Sequence, residues 1–180
     1  MQSSATGRSQ RKRASLRSNS PPGCVEVLGG NECRTEALAV AGLELLLVAR
    51  PAGASAGGDL YCVHSCEHRS LAKIVLLDIT GHGERSASMA WSVHHLLHLY
   101  STDTEPSRLL DVINRQFAQF AQPGILAASL CAVYDSRRSQ FRYANAGQPR
   151  ILFWQAQNGR WTTLARIFHQ KIEKGCPFMA

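Results

Sequence analysis

The stretch Lys73-Ile-Val-Leu-Leu-Asp-Ile-Thr-Gly-His-Gly83 decides the fold. Residues 73–78 form a continuous apolar run ending in an acid, which predicts a strand buried on both faces. Residues 80–83, with two glycines, break that strand. The chain then changes period: Met89, Val93, Leu96, Leu97 and Tyr100 fall at i, i+4, i+7, i+8 and i+11, one face of a helix. Upstream, 59–66 reads as a second strand joined to the first by a polar turn at 67–70. Residues 42–50 (GLELLLVAR) read as a third strand, and the Gly, Pro, Ala and Ser of 51–58 read as a turn. The first third is therefore expected to be a β-meander. Downstream, a polar link at 101–104 leads to Pro106, suited to the first position of a second helix, with Leu110, Ile113, Phe117 and Phe120 at helical spacing. Gln122-Pro123-Gly124 ends it, strands follow at 125–134, 141–145 and 150–154, and Asn158-Gly159 predicts a hairpin into 160–164. Strands, two helices, strands: the order predicts an α+β layered fold, with an antiparallel sheet packed against a helix pair.

The 180 residues, 44% of them hydrophobic, suffice for one substantial core plus tails. The net charge of +7 would suggest nucleic acid if it were spread over the domain, but Arg8, Arg11, Lys12, Arg13 and Arg17 carry +5 of it with no acid among residues 1–20. Residues 1–22 are expected to be a disordered basic tail, because they offer too little apolar surface to offset the entropy of ordering. Nucleic-acid binding is not expected of the remainder, residues 23–180. No apolar run approaches the roughly 18 to 20 residues of a membrane helix. Six cysteines without the apolar centre of a secretory leader point to thiols in a reducing cytoplasm.

Four constellations compete for chemistry. Cys62, His64, Cys66 and His68 resemble a zinc set, yet on an extended strand Cys62 and Cys66 lie about 13 Å apart, too far for one ion. His94 and His98, at i, i+4, share a helix face, but the sequence shows no third ligand near them, so packed or surface histidines are the expectation. A Gly81-x-Gly83 element with Asp103 twenty residues beyond mimics a dinucleotide fingerprint but lacks its third glycine and second strand. Asp59, after Gly57-Gly58, and Asp78, before Gly81-His82-Gly83, would emerge at the same end of a hairpin. Glycines there let the backbone approach a small ligand closely. Hard oxygen donors on adjacent strands suit Mg²⁺ or Mn²⁺. Spacing alone leaves turn caps as the competing account.

The ordered motifs Gly57-Gly58-Asp59-Leu60-Tyr61, Leu77-Asp78-Ile79-Thr80-Gly81-His82-Gly83, residues 109–114 and Tyr143-Ala144-Asn145-Ala146-Gly147-Gln148-Pro149 resemble the PPM-type serine/threonine phosphatases. The resemblance spans about residues 40 to 155 and is to the bacterial branch of sporulation protein E and the phosphatases that regulate sigma factors. It implies a PPM-phosphatase domain over 23–180, with antiparallel sheets packed against helix pairs. It also implies a centre for two Mn²⁺ or Mg²⁺ ions, bound by Asp59, Asp78 and the backbone carbonyl of Ile79. Gly58, Gly81, His82 and Gly83 would be contributing loop residues, with no separate catalytic side chain. The implied activity is hydrolysis of phosphoserine or phosphothreonine by metal-activated water, in bacterial signalling. The implied partner is a phosphorylated protein such as an anti-sigma-factor antagonist, with a homo-oligomer left open.

Two departures qualify this. Gln148 stands where the family usually has His, and it cannot accept a proton. Glu173 is the only carboxylate side chain after Asp135, and Gly175-Cys176-Pro177-Phe178 resembles the element that precedes the family's remaining metal ligands, so the domain is expected to be truncated at its C-terminus. The competing expectation is a catalytically deficient protein-interaction module.

Overall fold

A computed structural model describes residues 25–30, 32–50, 57–66 and 70–164. The tail expected over 1–22 and most of the turn expected over 67–70 lie outside the described residues. The elements are β1 (Val25–Gly29), β2 (Arg34–Val40), β3 (Leu43–Ala49), β4 (Gly57–Cys66), β5 (Leu71–His82), α1 (Glu84–Leu99), α2 (Pro106–Phe120), β6 (Ala127–Asp135), β7 (Gln140–Ala146), β8 (Leu152–Gln155) and β9 (Arg160–Thr163).

The α+β class expected from the sequence is the observed one. A five-stranded antiparallel sheet, ordered β1-β4-β5-β6-β7, carries both helices on one face. α1 packs on β4 and β5, and α2 on β6 and β7. The core between them contains Leu60, Val75, Leu77, Ile79, Val93, Leu109, Ile113, Phe117 and Cys131. Burying one such side chain as large as Phe117 contributes about 1.5–3 kcal/mol.

The meander expected in the first third needs correction. β2 and β3 pair only with each other, and β1 flanks β4. The β2–β3 hairpin lies on the sheet's other face, where Val40, Ala41 and Ala49 pack against Val27, Tyr61, Val63 and Ala72. It covers only the β1 side of that face. The expectation that 73–78 is buried on both faces fails for the same reason: Val75 and Leu77 are buried under the helices, while Leu76 is 37% exposed and Asp78 is exposed.

Nor does the sheet break at Thr80. β5 continues to His82, which pairs with Gly57. Gly57 and Gly58, expected in a turn, thus belong to β4. Between the Asp59–Asp78 and Gly57–His82 pairs, Gly58 alone opposes residues 79–81, so β5 bulges here.

Both helices form where expected, with an adjusted inner face. In α1 the buried residues are Ser86, Ala87, Ala90, Val93 and Leu97, with Met89, Leu96 and Tyr100 half-buried beside them. Small side chains face the sheet, letting the helix approach it closely. In α2, Leu109 joins Leu110, Ile113 and Phe117, while Phe120 is largely exposed and touches Phe117 edge to face. Lys73, buried on β5, locks the link between the helices by donating to the carbonyls of Tyr100, Ser101 and Asp103 at 3.3, 2.5 and 2.9 Å. The predicted β8–β9 hairpin forms around Gly159, which has the positive φ (58°) that such a turn favours.

Candidate functional site

Asp59 on β4 is the direct cross-strand partner of Asp78 on β5. Paired residues share a face, so both carboxylates lie on the side of the sheet away from the helices, and both are exposed. When one of them holds a proton, the two side chains can share a hydrogen bond. Partial burial, then the Asp78 charge and that contact, raise the Asp59 pKa above its ordinary value. Such a response is expected of two carboxylates sharing a small site.

The third expected group, the Ile79 carbonyl, lies against Gly58 on the neighbouring strand. A Cβ built there would collide with the Ile79 carbonyl oxygen, and only hydrogen fits the bulge at that point. Gly30, at the end of β1, is equally close to the backbone of Asp59. Asp59 and Asp78 thus face each other across the two strands, and one residue along from each of them Gly58 lies against the Ile79 carbonyl. The donors are all oxygen, on neighbouring strands, with a glycine cradle, and this chemistry fits Mg²⁺ or Mn²⁺.

The Gly81-His82-Gly83 segment turns the end of β5 into α1. Gly81 and Gly83 have φ of 100° and 82°, and Gly83 occupies the N-cap without a side-chain cap bond. His82 is exposed, its main role in the fold being the backbone pair with Gly57. Thr80 pins this end: its N–H donates to the Leu126 carbonyl and its Oγ1 accepts from the Leu126 N–H, both at 2.9 Å.

Asn145, quoted from sequence only as a motif letter, and Gln148, singled out there as a departure from the family, now have positions. Asn145 Oδ1 accepts from the Gln148 N–H at 2.9 Å, and its Nδ2 donates to the carbonyls of Gln148 and Pro149. Gln148 Nε2 in turn donates to the carbonyl of Ala128, the β6 partner of Asp78, at 3.0 Å. Gln148 here is a hydrogen-bond donor to backbone beside the carboxylate pair, a task that needs no proton acceptor. The signal in the sequence was the run Asn-x-x-Gln-Pro after a strand, a turn built by side-chain amides.

The other constellations are resolved differently. β5 is antiparallel to both neighbours, and Asp103 binds Arg108 at 2.8 Å in the link between the helices, so no dinucleotide crevice forms. β4 is extended as expected, which separates Cys62 from Cys66. The isolation expected for His94 and His98 is wrong. Glu26 of β1 reaches both, with Oε1 3.1 Å from His94 Nε2 and Oε2 3.2 Å from His98 Nδ1, and Cys62 Sγ lies 3.8 Å from Oε1. Glu26 is far away in sequence but adjacent in space, because β1 pairs with β4.

No helix among the described residues is long and apolar enough to cross a membrane. A family model described as stage II sporulation protein E (SpoIIE) matches residues 70–166, more than half of the chain. That region holds Asp78, Ile79, the Gly81–Gly83 turn, Asn145 and Gln148, and leaves Asp59 outside. The chain is also 33% identical over 114 residues to phosphoserine phosphatase RsbP of Bacillus subtilis (strain 168), a match covering 60% of this chain and 28% of the relative. The matched segment thus spans little more than a quarter of that curated relative.

Proposed function

The chain belongs to the stage II sporulation protein E family of PPM-type phosphatases, and from that premise we propose that it hydrolyses phosphoserine or phosphothreonine on a protein substrate. The carrying observation is the Asp59–Asp78 register pair, with Gly58 set against the Ile79 carbonyl. In this reading Asp59, Asp78 and the Ile79 carbonyl hold Mn²⁺ or Mg²⁺. Bound there, the ions would lower the pKa of a water and neutralise charge on the phosphate oxygens.

The chain's own residues do the rest. The two carboxylates supply the negative charge that concentrates cations at one end of the sheet. The β5 bulge aims the Ile79 carbonyl, and the glycines at 58, 81 and 83 leave room for a phosphate to approach the backbone. Thr80 and Gln148 hold the neighbouring strands in register around that opening. The name of the relative, a phosphoserine phosphatase, supports a phosphoserine substrate, and the family supports a place in sigma-factor or sporulation signalling in the cytoplasm.

Calorimetric titration with Mn²⁺ tests the ligand set, alongside hydrolysis of a phosphoserine peptide. Asp59→Asn and Asp78→Asn should each weaken Mn²⁺ at least about tenfold, or about 1.4 kcal/mol, with the fold intact by circular dichroism. Unchanged affinity in either variant removes that residue from the site. Retained Mn²⁺ binding with no hydrolysis in the wild type would favour a protein-interaction role for the same fold.

A further inference from the structure

The Glu26, Cys62, His94 and His98 side chains meet where the edge strand β1 and its neighbour β4 pass under α1. Cys62 is buried, Glu26 and His94 have 14% and 20% of their side chains exposed, and His98 is at the rim with 44%. One oxygen of Glu26, the Cys62 sulfur and a His94 nitrogen all lie within 4.8 Å of one another. The His98 nitrogen closes on the other carboxylate oxygen. From these positions we propose a second metal site, for a zinc-type divalent cation held by Cys62, His94 and Glu26, with His98 orienting the Glu26 carboxylate.

Donor geometry carries the argument. With Zn–N and Zn–O bonds of about 2.0–2.2 Å and a Zn–S bond of about 2.3 Å, tetrahedral ligand atoms stand roughly 3.4 to 3.6 Å apart. His94 Nε2 at 3.1 Å and Cys62 Sγ at 3.8 Å from the same Glu26 oxygen bracket that edge, so small side-chain adjustments would admit the ion, while His98 Nδ1, 3.2 Å from the other oxygen, orients the carboxylate. Two of the four residues are helical at i, i+4, a spacing that sets imidazoles side by side on one face. The other two come from hydrogen-bonded strands, because Cys62 pairs with Leu28 and so lies diagonal to Glu26. Helix and sheet edge would be clipped together.

The donor type selects the metal class. Sulfur, nitrogen and one carboxylate suit Zn²⁺ and disfavour Mg²⁺, which wants six oxygens. Charge also balances: a carboxylate and a thiolate neutralise a divalent ion in a half-buried place. Burial first, and then the Glu26 charge, push the Cys62 thiol up to about 12 without an ion, so binding would release its proton to solvent. The buried Lys73 amine nearby is committed to three carbonyls, and its field favours the thiolate. The site does not depend on the phosphatase reading, since no residue is shared with the Asp59–Asp78 pair.

Co²⁺ is the probe, added to the full chain carrying Asp59→Asn and Asp78→Asn so that the oxygen site is silenced. One Co²⁺ per chain should bind with the intense visible absorption of a tetrahedral ion and a thiolate charge-transfer band, both lost on adding Zn²⁺. Cys62→Ser should abolish the charge-transfer band. His98→Gln, at the rim, should keep the fold by circular dichroism and weaken Co²⁺ at least tenfold, as loss of a residue that orients a ligand does, and it decides the matter if Cys62→Ser does not fold. Absence of the charge-transfer band at saturating Co²⁺, or His98→Gln binding Co²⁺ as the parent does, overturns the proposal.

Discussion

Asp59 and Cys62 stand three residues apart on one strand and face opposite ways, one toward open solvent and the other under a helix. The Asp59–Asp78 pair is exposed, all oxygen, and raises the pKa of Asp59. The Glu26–Cys62–His94–His98 cluster is largely enclosed and mixed in donor type, and it does the reverse to its own acid. Burial there opposes the Glu26 carboxylate, but the His94 hydrogen bond and the nearby histidines outweigh it and lower its pKa. Strand alternation thus lets β4 present two unlike environments within about 10 Å of chain. A like-charge pair is at rest only when something cationic joins it, whereas a carboxylate between imidazoles already has partners.

Gly58→Ala should separate the two regions most strongly. The added methyl meets a backbone carbonyl that cannot swing aside, so the bulge must deform, at about 1–3 kcal/mol of stability by chemical denaturation. Mn²⁺ affinity should fall with it, while the Co²⁺ spectrum at Cys62 should stay as it was. Intact Mn²⁺ binding would show that the Ile79 carbonyl plays no part in that site.

Glu26→Gln probes the enclosed cluster through its pH dependence. Glu26 has its folded pKa lowered from 4.5, so it contributes stability that is present above pH 4.5 and lost as the pH falls through the folded value. Removing the charge should cost about 1.5–3 kcal/mol at pH 7, the range for hydrogen bonds to an ionised group. The difference between variant and wild type should close in acid. A difference that does not change with pH would mean that Glu26 acts by packing alone.

The sequence made the exposed pair legible and hid the enclosed one for a single reason, distance along the chain. Asp59 and Asp78 sit on strands consecutive in the chain, so local pattern places them opposite each other, and the glycines around them mark the close approach. Glu26 meets His94 and His98 only because β1 reaches past the β2–β3 hairpin to flank β4. No local periodicity specifies that pairing, which also explains why a simple meander was the wrong expectation. Residues 73–78 misled in a related way. An apolar run shows that a strand can be buried on both faces, but whether it is depends on what covers each face, and the hairpin stops short of Leu76. Within the helices, spacing found the correct face to within one residue. The preference for Ala90 over Met89 at the centre reflects how closely α1 lies on the sheet, a distance that periodicity does not carry.

The smallest effect concerns Asp59→Asn without metal, and its sign runs against intuition for a site residue. The folded pKa of Asp59 is raised above its ordinary 3.8 by burial and by Asp78. Such a group favours the fold in acid, where it is protonated, and loses that contribution as the pH rises through the folded value. Asn cannot ionise and escapes the loss. In the metal-free protein the variant should therefore melt no lower than the wild type near pH 4 and slightly higher at pH 7, the gap opening between the two. Adding Mn²⁺ should reverse the order, because the wild type gains stability from binding that the variant lacks. Thermal melts at several pH values with chelator, repeated with Mn²⁺, measure both. A variant less stable than the wild type in chelator at neutral pH would show that Asp59 is held by a favourable contact, a turn cap in effect, and would end its case as half of a cation site.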